Sequence, residues 1–169
     1  MPDQTQPDRV PERVGYVLKR AQQVLSTAMA AALARHGVTN AQYAALSALQ
    51  ADPGLSNAEL ARRSFVTPQT MHEIIAQLER AGLVARQANP HHARILQRRL
   101  TARGEAVLAA CHRDVLGIEQ RMLAPLRPPQ RAQLRAWLTQ CAQALTTDEH
   151  TADAQANQPH AGGDPGVGR

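Results

Sequence analysis

The sequence predicts a mainly α-helical protein that contains one small β-hairpin. Helix-start signals recur along the chain, including Thr39 and Ser56, each followed three residues later by Gln or Glu as in a capping box. Only four of the 169 residues are aromatic, and a core of Ala, Leu, Val and Ile favours closely packed helices over a β-sandwich. Strand-like patterning is confined to a short arginine-rich segment after Gly82.

Two short helices are predicted close together in the middle of the chain. The capping box at Ser56 begins a helix over residues 57–63. Thr67 caps a second helix with Pro68 at its first position, where the missing N–H of proline costs nothing. Gly82 is placed to end this second helix in a left-handed conformation. Its apolar residues recur at helical spacing and predict one buried stripe of Met71, Ile74, Ile75 and Leu78.

A β-hairpin follows these two helices. Residues 83–86 and 94–101 predict two short strands around a polar loop at 87–93. Two short crossing helices followed by a hairpin make a winged helix-turn-helix, in which the loop is the wing. The expected fold is therefore a winged helix-turn-helix with a small β-hairpin wing and long helices at both ends of the chain.

Positive charge is concentrated in this central segment. The chain has a net charge of +5 at pH 7, and residues 56–103 hold eight arginines against three carboxylates. Eighteen of the nineteen basic residues are arginine, whose planar fork pairs with phosphate and with guanine edges. The clustering favours a nucleic-acid partner.

Five motifs follow one another along the central segment: Leu60-Ala61-Arg62-Arg63, Thr67-Pro68-Gln69-Thr70-Met71, Leu78-Glu79-Arg80-Ala81-Gly82-Leu83-Val84, Asn89-Pro90 to Arg94, and Leu100-Thr101-Ala102-Arg103-Gly104. In this order they resemble the DNA-binding core of the MarR family of bacterial transcriptional regulators. The resemblance, with its flanking helices, covers roughly residues 10–147. It implies a homodimer that binds a pseudo-palindromic operator on double-stranded DNA and that a small molecule or an oxidant releases. One position departs from the family, since His92 stands where the wing commonly carries Asp, two residues before its tip Arg94.

The domain organisation follows from the helices that flank the winged segment. Residues 10–36 and 102–147 are predicted to form a helical dimerisation region, because their apolar seams are too long for a small winged domain to cover. Residues 39–101 form the predicted DNA-binding domain. Residues 148–169 are rich in Gly, Pro, Asp, Gln and His and are expected to form a disordered tail.

Polar residues on the outer face of the second short helix are the candidate readers of DNA. Gln pairs with adenine, Glu accepts from cytosine, and Thr and His reach phosphates or base edges. On the wing, Arg94 is the candidate for the minor groove. Strand alternation sends Arg94 and Arg98 to one face and Arg99 to the other. The predicted DNA-binding residues are Arg62, Thr67, Gln69, Thr70, His72, Glu73, Arg94 and Arg98.

The resemblance also implies an effector site between the dimer helices and the DNA-binding lobe. An aromatic or phenolic compound is expected there, and the residues placed to line the crevice are Tyr16, His36, Tyr43 and Arg63. Peroxide-sensing relatives carry a cysteine near the start of the first long helix, which this chain lacks. Its two cysteines, Cys111 and Cys141, are expected to be free thiols.

The sequence also leaves room for other functional classes. A thiol-based redox sensor and a helical interaction module whose winged domain does not bind DNA stay open as alternatives. An enzyme is not expected, because no nucleophile stands at a motif spacing from a base and no Gly-rich phosphate loop occurs. No metal site and no cofactor are expected, since adjacent histidines on a loop do not converge on one tetrahedron. A cytoplasmic location is expected, because no signal peptide is visible.

Overall fold

The computed structural model describes residues 10–89 and 92–156, with side chains described for residues 10–87 and 97–146. A 3₁₀ turn at Val10–Glu12, which contains Pro11, leads into the first helix. The mainly helical fold class with one hairpin is confirmed. In chain order the helices and strands are α1 (Val14–Ala34), α2 (Asn40–Ala51), α3 (Asn57–Arg63), α4 (Pro68–Arg80), β1 (Val84–Asn89), β2 (His92–Leu100), α5 (Ala102–Leu123) and α6 (Pro128–Ala156).

The chain divides into two compact units, Met1–Met122 and Leu123–Arg169. The first unit is organised around one apolar cluster, to which α2, α3 and α4 contribute most of the side chains. The predicted stripe of α4 is confirmed, because all four of its members are buried. From α5, Leu108 and Cys111 complete the cluster and are fully buried.

The local signals read from the sequence position the short helices. Both capping boxes form, with the Thr39 and Ser56 side chains accepting from the N–H of Gln42 and Glu59. Gly37 and Gly82 adopt left-handed backbone conformations, with φ of +69° and +67°. These conformations end α1 and α4 at low cost, because glycine has no Cβ to clash there.

The wing hairpin is longer than predicted. Strand β1 extends to Asn89 and β2 starts at His92, so most of the predicted loop at 87–93 is paired strand. The ladder continues through Gln87 opposite Gln97 and Ala88 opposite Leu96, with an irregularity between Ala88 and Asn89. Polar residues are compatible with these positions, because a hairpin can leave one of its faces to solvent.

The last helix is also longer than predicted. It begins at Pro128 and continues to Ala156, nine residues past the expected end at Thr147. Pro128 and Pro129 fit the first turn, where no N–H is needed, and no proline or glycine interrupts the sequence before Pro159. Residues 157–169, the rest of the predicted tail, lie outside the described residues. Among the described helices, none is both long enough and apolar enough to cross a bilayer.

Candidate nucleic-acid interface

Helix α4 presents a polar face on a firmly held scaffold. Its apolar side is buried in the core, and the opposite side exposes four of the predicted DNA-binding residues, Gln69, Thr70, His72 and Glu73. Because the buried stripe fixes the rotation of the helix, these four side chains keep one direction relative to the lobe. An exposed helix face of this kind fits a DNA major groove.

The start of α4 is tied by two threonines. Thr67 Oγ1 accepts from the N–H of Thr70 at 3.1 Å, and it lies 2.9 Å from Thr70 Oγ1. Thr67 therefore acts first as the helix cap. Its hydroxyl and that of Thr70 share one hydrogen bond and remain exposed.

Helix α3 contributes two exposed arginines with different surroundings. Arg62 has no ion-pair partner among the residues that the structure describes. Arg63 Nη2 lies 3.8 Å from Asp52 Oδ2, and both side chains are about half exposed, so this is a weak surface pair. At the other end of α3, hydrogen bonding to Ser56 lowers the pKa of Glu59, and the carboxylate accepts from the Ser56 N–H at 2.8 Å.

The wing arginines have unequal positions. Arg98 is largely enclosed, because its side chain is only 24% exposed and its Nε lies 3.5 Å from Glu79 Oε1. The structure therefore places Arg98 against α4 and does not bring it to the exposed face of Gln69 and Thr70. Arg99 donates to Gln97 Oε1 at 3.3 Å. The side chain of Arg94 lies outside the described residues, so its predicted role stays a prediction.

Phe65 lies in the short segment between α3 and α4. The structure shows it 94% exposed in a left-handed conformation, with φ of +55°. A bulky residue at positive φ is uncommon and costs conformational energy. A Ser-Phe-Val tripeptide between two predicted helices gives no signal for this conformation, which the tight crossing of α3 and α4 imposes.

The four predicted effector residues do not form one cluster within the described chain. His36 Nε2 lies 2.7 Å from Asp114 Oδ2, whereas the Tyr43 hydroxyl lies 2.8 Å from His112 Nδ1. Residues two positions apart on a helix point about 200° apart, so these contacts lie on different sides of α5. Among the described side chains, no polar contact joins Tyr16 or Arg63 to His36 or His112.

Tyr43 and His112 also meet through their rings. Their rings meet edge to face with centroids 5.4 Å apart, and burial raises the pKa of the Tyr43 phenol. His112 Nε2 lies 3.3 Å from Gln50 Oε1, an arrangement that suits the tautomer with its proton on Nε2. His112 Nδ1 is then free to accept from the Tyr43 hydroxyl.

Charged groups at the end of α1 meet α5 around Asp114. Arg35 Nη2 and His36 Nε2 lie 3.1 and 2.7 Å from the same Asp114 oxygen, and the hydrogen bond from His36 is the main reason that the pKa of Asp114 is lowered. Beside this cluster, an open groove of about 500 Å³ runs between α1 and α5 and is lined in part by Arg35, Arg113 and Arg121. None of the four predicted effector residues lines this groove.

The described residues also bear on the metal and thiol interpretations. No group of three His, Cys, Asp or Glu side chains within the described part could hold a metal ion. Cys111 is fully buried, and burial raises the pKa of its thiol. Because the thiolate is the reactive form, both effects make Cys111 a poor redox centre. Cys141 is exposed on α6.

Comparisons with known proteins agree with this geometry. Residues 36–95 match the model of the MarR family. The HTH-type transcriptional repressor Rv2887 of Mycobacterium tuberculosis is 41% identical over 125 residues, covering 74% of this chain and 90% of the relative. The crystal structure of Rv2887 in complex with salicylic acid is similar with a TM-score of 0.65 at 40% identity, covering 76% of this chain and 96% of that one. The structure of Rv2887 in complex with DNA gives a TM-score of 0.63 at 37% identity, covering 76% and 97%. The identity over most of both chains, together with the helix-turn-helix and wing described above, shows that this chain belongs to the MarR family, whose members are regulators of transcription and not enzymes.

Proposed function

We propose that this protein is a homodimeric transcriptional repressor that binds a pseudo-palindromic DNA operator and that a small aromatic acid or phenol releases. The observation that carries the DNA-binding part is the exposed polar face of α4, held by a fully buried stripe. The concentration of arginine around it supports the same partner. A DNA-binding regulator acts where the chromosome is, so we place the protein in the cytoplasm.

The two-fold symmetry of a dimer sets the geometry of the operator. Recognition helices in a symmetric dimer lie about one DNA turn apart, roughly 34 Å, so the half-sites are inverted repeats with centres about 10 base pairs apart. Sequencing the fragments that the protein retains from its own genome identifies the operator. Footprinting on it then tests the symmetry, and direct repeats would contradict the dimeric arrangement.

Gln69 is the sharpest test of base reading by α4. Replacement Gln69→Ala is expected to weaken binding to the operator by about 1 to 3 kcal/mol and to relax base preference at one position in each half-site. Binding titrations against operators with every base at each position measure both effects. Gln140→Ala, an exposed glutamine on α6, is the matched control. A uniform loss of affinity with unchanged base preference would show that Gln69 does not read a base.

The effector part of the proposal rests on different support. The relative Rv2887 has been solved in complex with salicylic acid, and here the buried Cys111 is poorly placed for a thiol switch. A ligand releases DNA only if it binds the DNA-competent state more weakly than the other state. A tenfold loss of operator affinity needs about 1.4 kcal/mol of such coupling, which lies in the usual allosteric range.

We expect salicylate to release the operator and peroxide to leave it bound. Fluorescence anisotropy with the labelled operator measures both, with benzyl alcohol as an uncharged aromatic control. The double variant Cys111→Ser, Cys141→Ser is titrated in parallel and should respond to salicylate like the unmodified protein. Reversible release by peroxide that disappears in the double variant would replace the ligand-sensing proposal with a thiol switch.

A further inference from the structure

One carboxylate holds two arginines of the wing. Arg86 on β1 and Arg98 on β2 are direct partners in the antiparallel ladder. The Nε atoms of both lie 3.5 Å from the same oxygen, Glu79 Oε1. Glu79 lies near the end of α4, so the three side chains join the recognition helix to both strands of the wing. We call Glu79, Arg86 and Arg98 the wing clamp.

The arginine pair is unfavourable without Glu79. Like charges directly opposite each other on an antiparallel ladder repel, and here the repulsion is only partly screened because Arg98 is 24% exposed. Glu79 Oε1 and Arg98 Nε are buried and make no hydrogen bond. Their ion pair therefore supplies the main compensation for their loss of water, and removing one partner leaves a partly buried charge unmatched.

The clamp lies at a structural junction. Gln69, Thr70, His72 and Glu73 occupy the first half of α4, and Glu79 follows on the same helix. The strands that carry Arg86 and Arg98 lead directly to the wing tip. Among the residues whose side chains are described, no other carboxylate forms an ion pair with the wing.

From this juxtaposition we propose that Glu79 is a positioning residue for DNA discrimination, which fixes the wing relative to the recognition helix and withholds the charges of Arg86 and Arg98 from DNA phosphates. The inference rests on the proposed DNA-binding function. The clamp is closed when Glu79 holds both arginines. The wing and α4 then meet DNA as one rigid surface, which favours the sequence that fits both. With the clamp open, the wing moves more freely and two additional cations contact phosphates of any sequence.

The test is the variant Glu79→Gln in the full-length dimer. We expect binding to a random-sequence duplex to tighten, with the slope of log K against log salt steeper by about 2 for each DNA-bound lobe, because the two released arginines each contact one more phosphate. We expect the ratio of operator affinity to random-duplex affinity to fall about tenfold. A purely structural defect would weaken binding to both duplexes and would not steepen the salt slope.

Two further variants separate the clamp from a general charge effect. Glu119→Gln removes the same charge from an exposed position on α5 and is expected to keep the ratio within twofold. Glu79→Gln combined with Arg98→Gln removes the repelling pair and one of the two released cations, and the two amides can join α4 to the wing by an uncharged hydrogen bond, so most of the lost discrimination should return. An unchanged ratio in Glu79→Gln, or no recovery in the double variant, overturns the proposal.

If Glu79→Gln alone does not fold, the double variant is measured by itself, and the proposal requires it to fold and to discriminate; failure on either count overturns it. If the unmodified protein shows no salt-dependent affinity for DNA, the proposed function fails. If it discriminates normally while Glu79→Gln behaves identically, only the clamp fails.

Discussion

Removal of residues 130–147 is expected to abolish the soluble dimer. This segment holds most of α6, whose large apolar side chains remain exposed on the single chain, with Trp137 at 56% and Leu145 at 73%. Helix α1 likewise exposes Val14 at 76% and Val24 at 69%. Apolar surface on this scale is a mark of an interface, and MarR-family proteins are dimers. We propose that two subunits bury the apolar faces of α1 and α6, so the shortened chain is expected to aggregate or to lose its fold.

Size-exclusion chromatography with light scattering measures the oligomeric state, and circular dichroism measures the helix content. Removal of residues 157–169, which contain none of these apolar side chains, is the matched control and should leave a dimer. A folded, soluble dimer after removal of 130–147 would contradict dimerisation through the terminal helices, and the interface would then lie elsewhere. A folded, soluble monomer would contradict the expected aggregation or loss of fold.

The parts of the fold that the sequence predicts well are those set by neighbours along the chain. The stripe of α4 follows from a period of 3.6 residues, and the capping boxes at Thr39 and Ser56 involve atoms only three residues apart. Gly37 and Gly82 end helices for the same local reason. The polar face of α4 follows directly from its apolar stripe.

Contacts between residues far apart in the sequence leave no such local signal. The sequence predicts strands that are too short, because Gln87 and Asn89 are typical loop residues. Only their pairing with the opposite strand makes them part of the hairpin. The sequence predicts that Arg98 binds DNA, and its pairing with Glu79, nineteen residues away, leaves no trace in local patterning. The sequence predicts that His36 and Tyr43 line one crevice. In the structure they contact different residues of α5, Asp114 and His112, and local patterning does not predict the position of α5.

Replacement of Gly104 by alanine is expected to destabilise the lobe by about 3 kcal/mol or more, because α5 starts in contact with the chain that leaves α4. A Cβ at Gly104 would overlap the carbonyl oxygen of Leu83 and lie 2.9 Å from its carbonyl carbon. The obstacle is backbone and is held in place. The Leu83 carbonyl accepts from the Thr101 N–H at 3.0 Å, and the Leu83 N–H donates to Leu78 O at 3.0 Å.

The same hydrogen bonds prevent α5 from moving away to make room. Thr101 Oγ1 donates to Gly82 O at 2.7 Å and accepts from the Gly104 N–H at 3.0 Å, so the first turn of α5 is fastened to the turn after α4. Denaturant unfolding at fixed protein concentration measures the loss for Gly104→Ala. Gly15→Ala is the control, since its Cβ would meet nothing within 4 Å and alanine favours a helix over glycine by up to about 1 kcal/mol. A loss below about 1 kcal/mol for Gly104→Ala would show that α5 can shift from Leu83, and that the joint between the DNA-binding lobe and the long helix is looser than these contacts require.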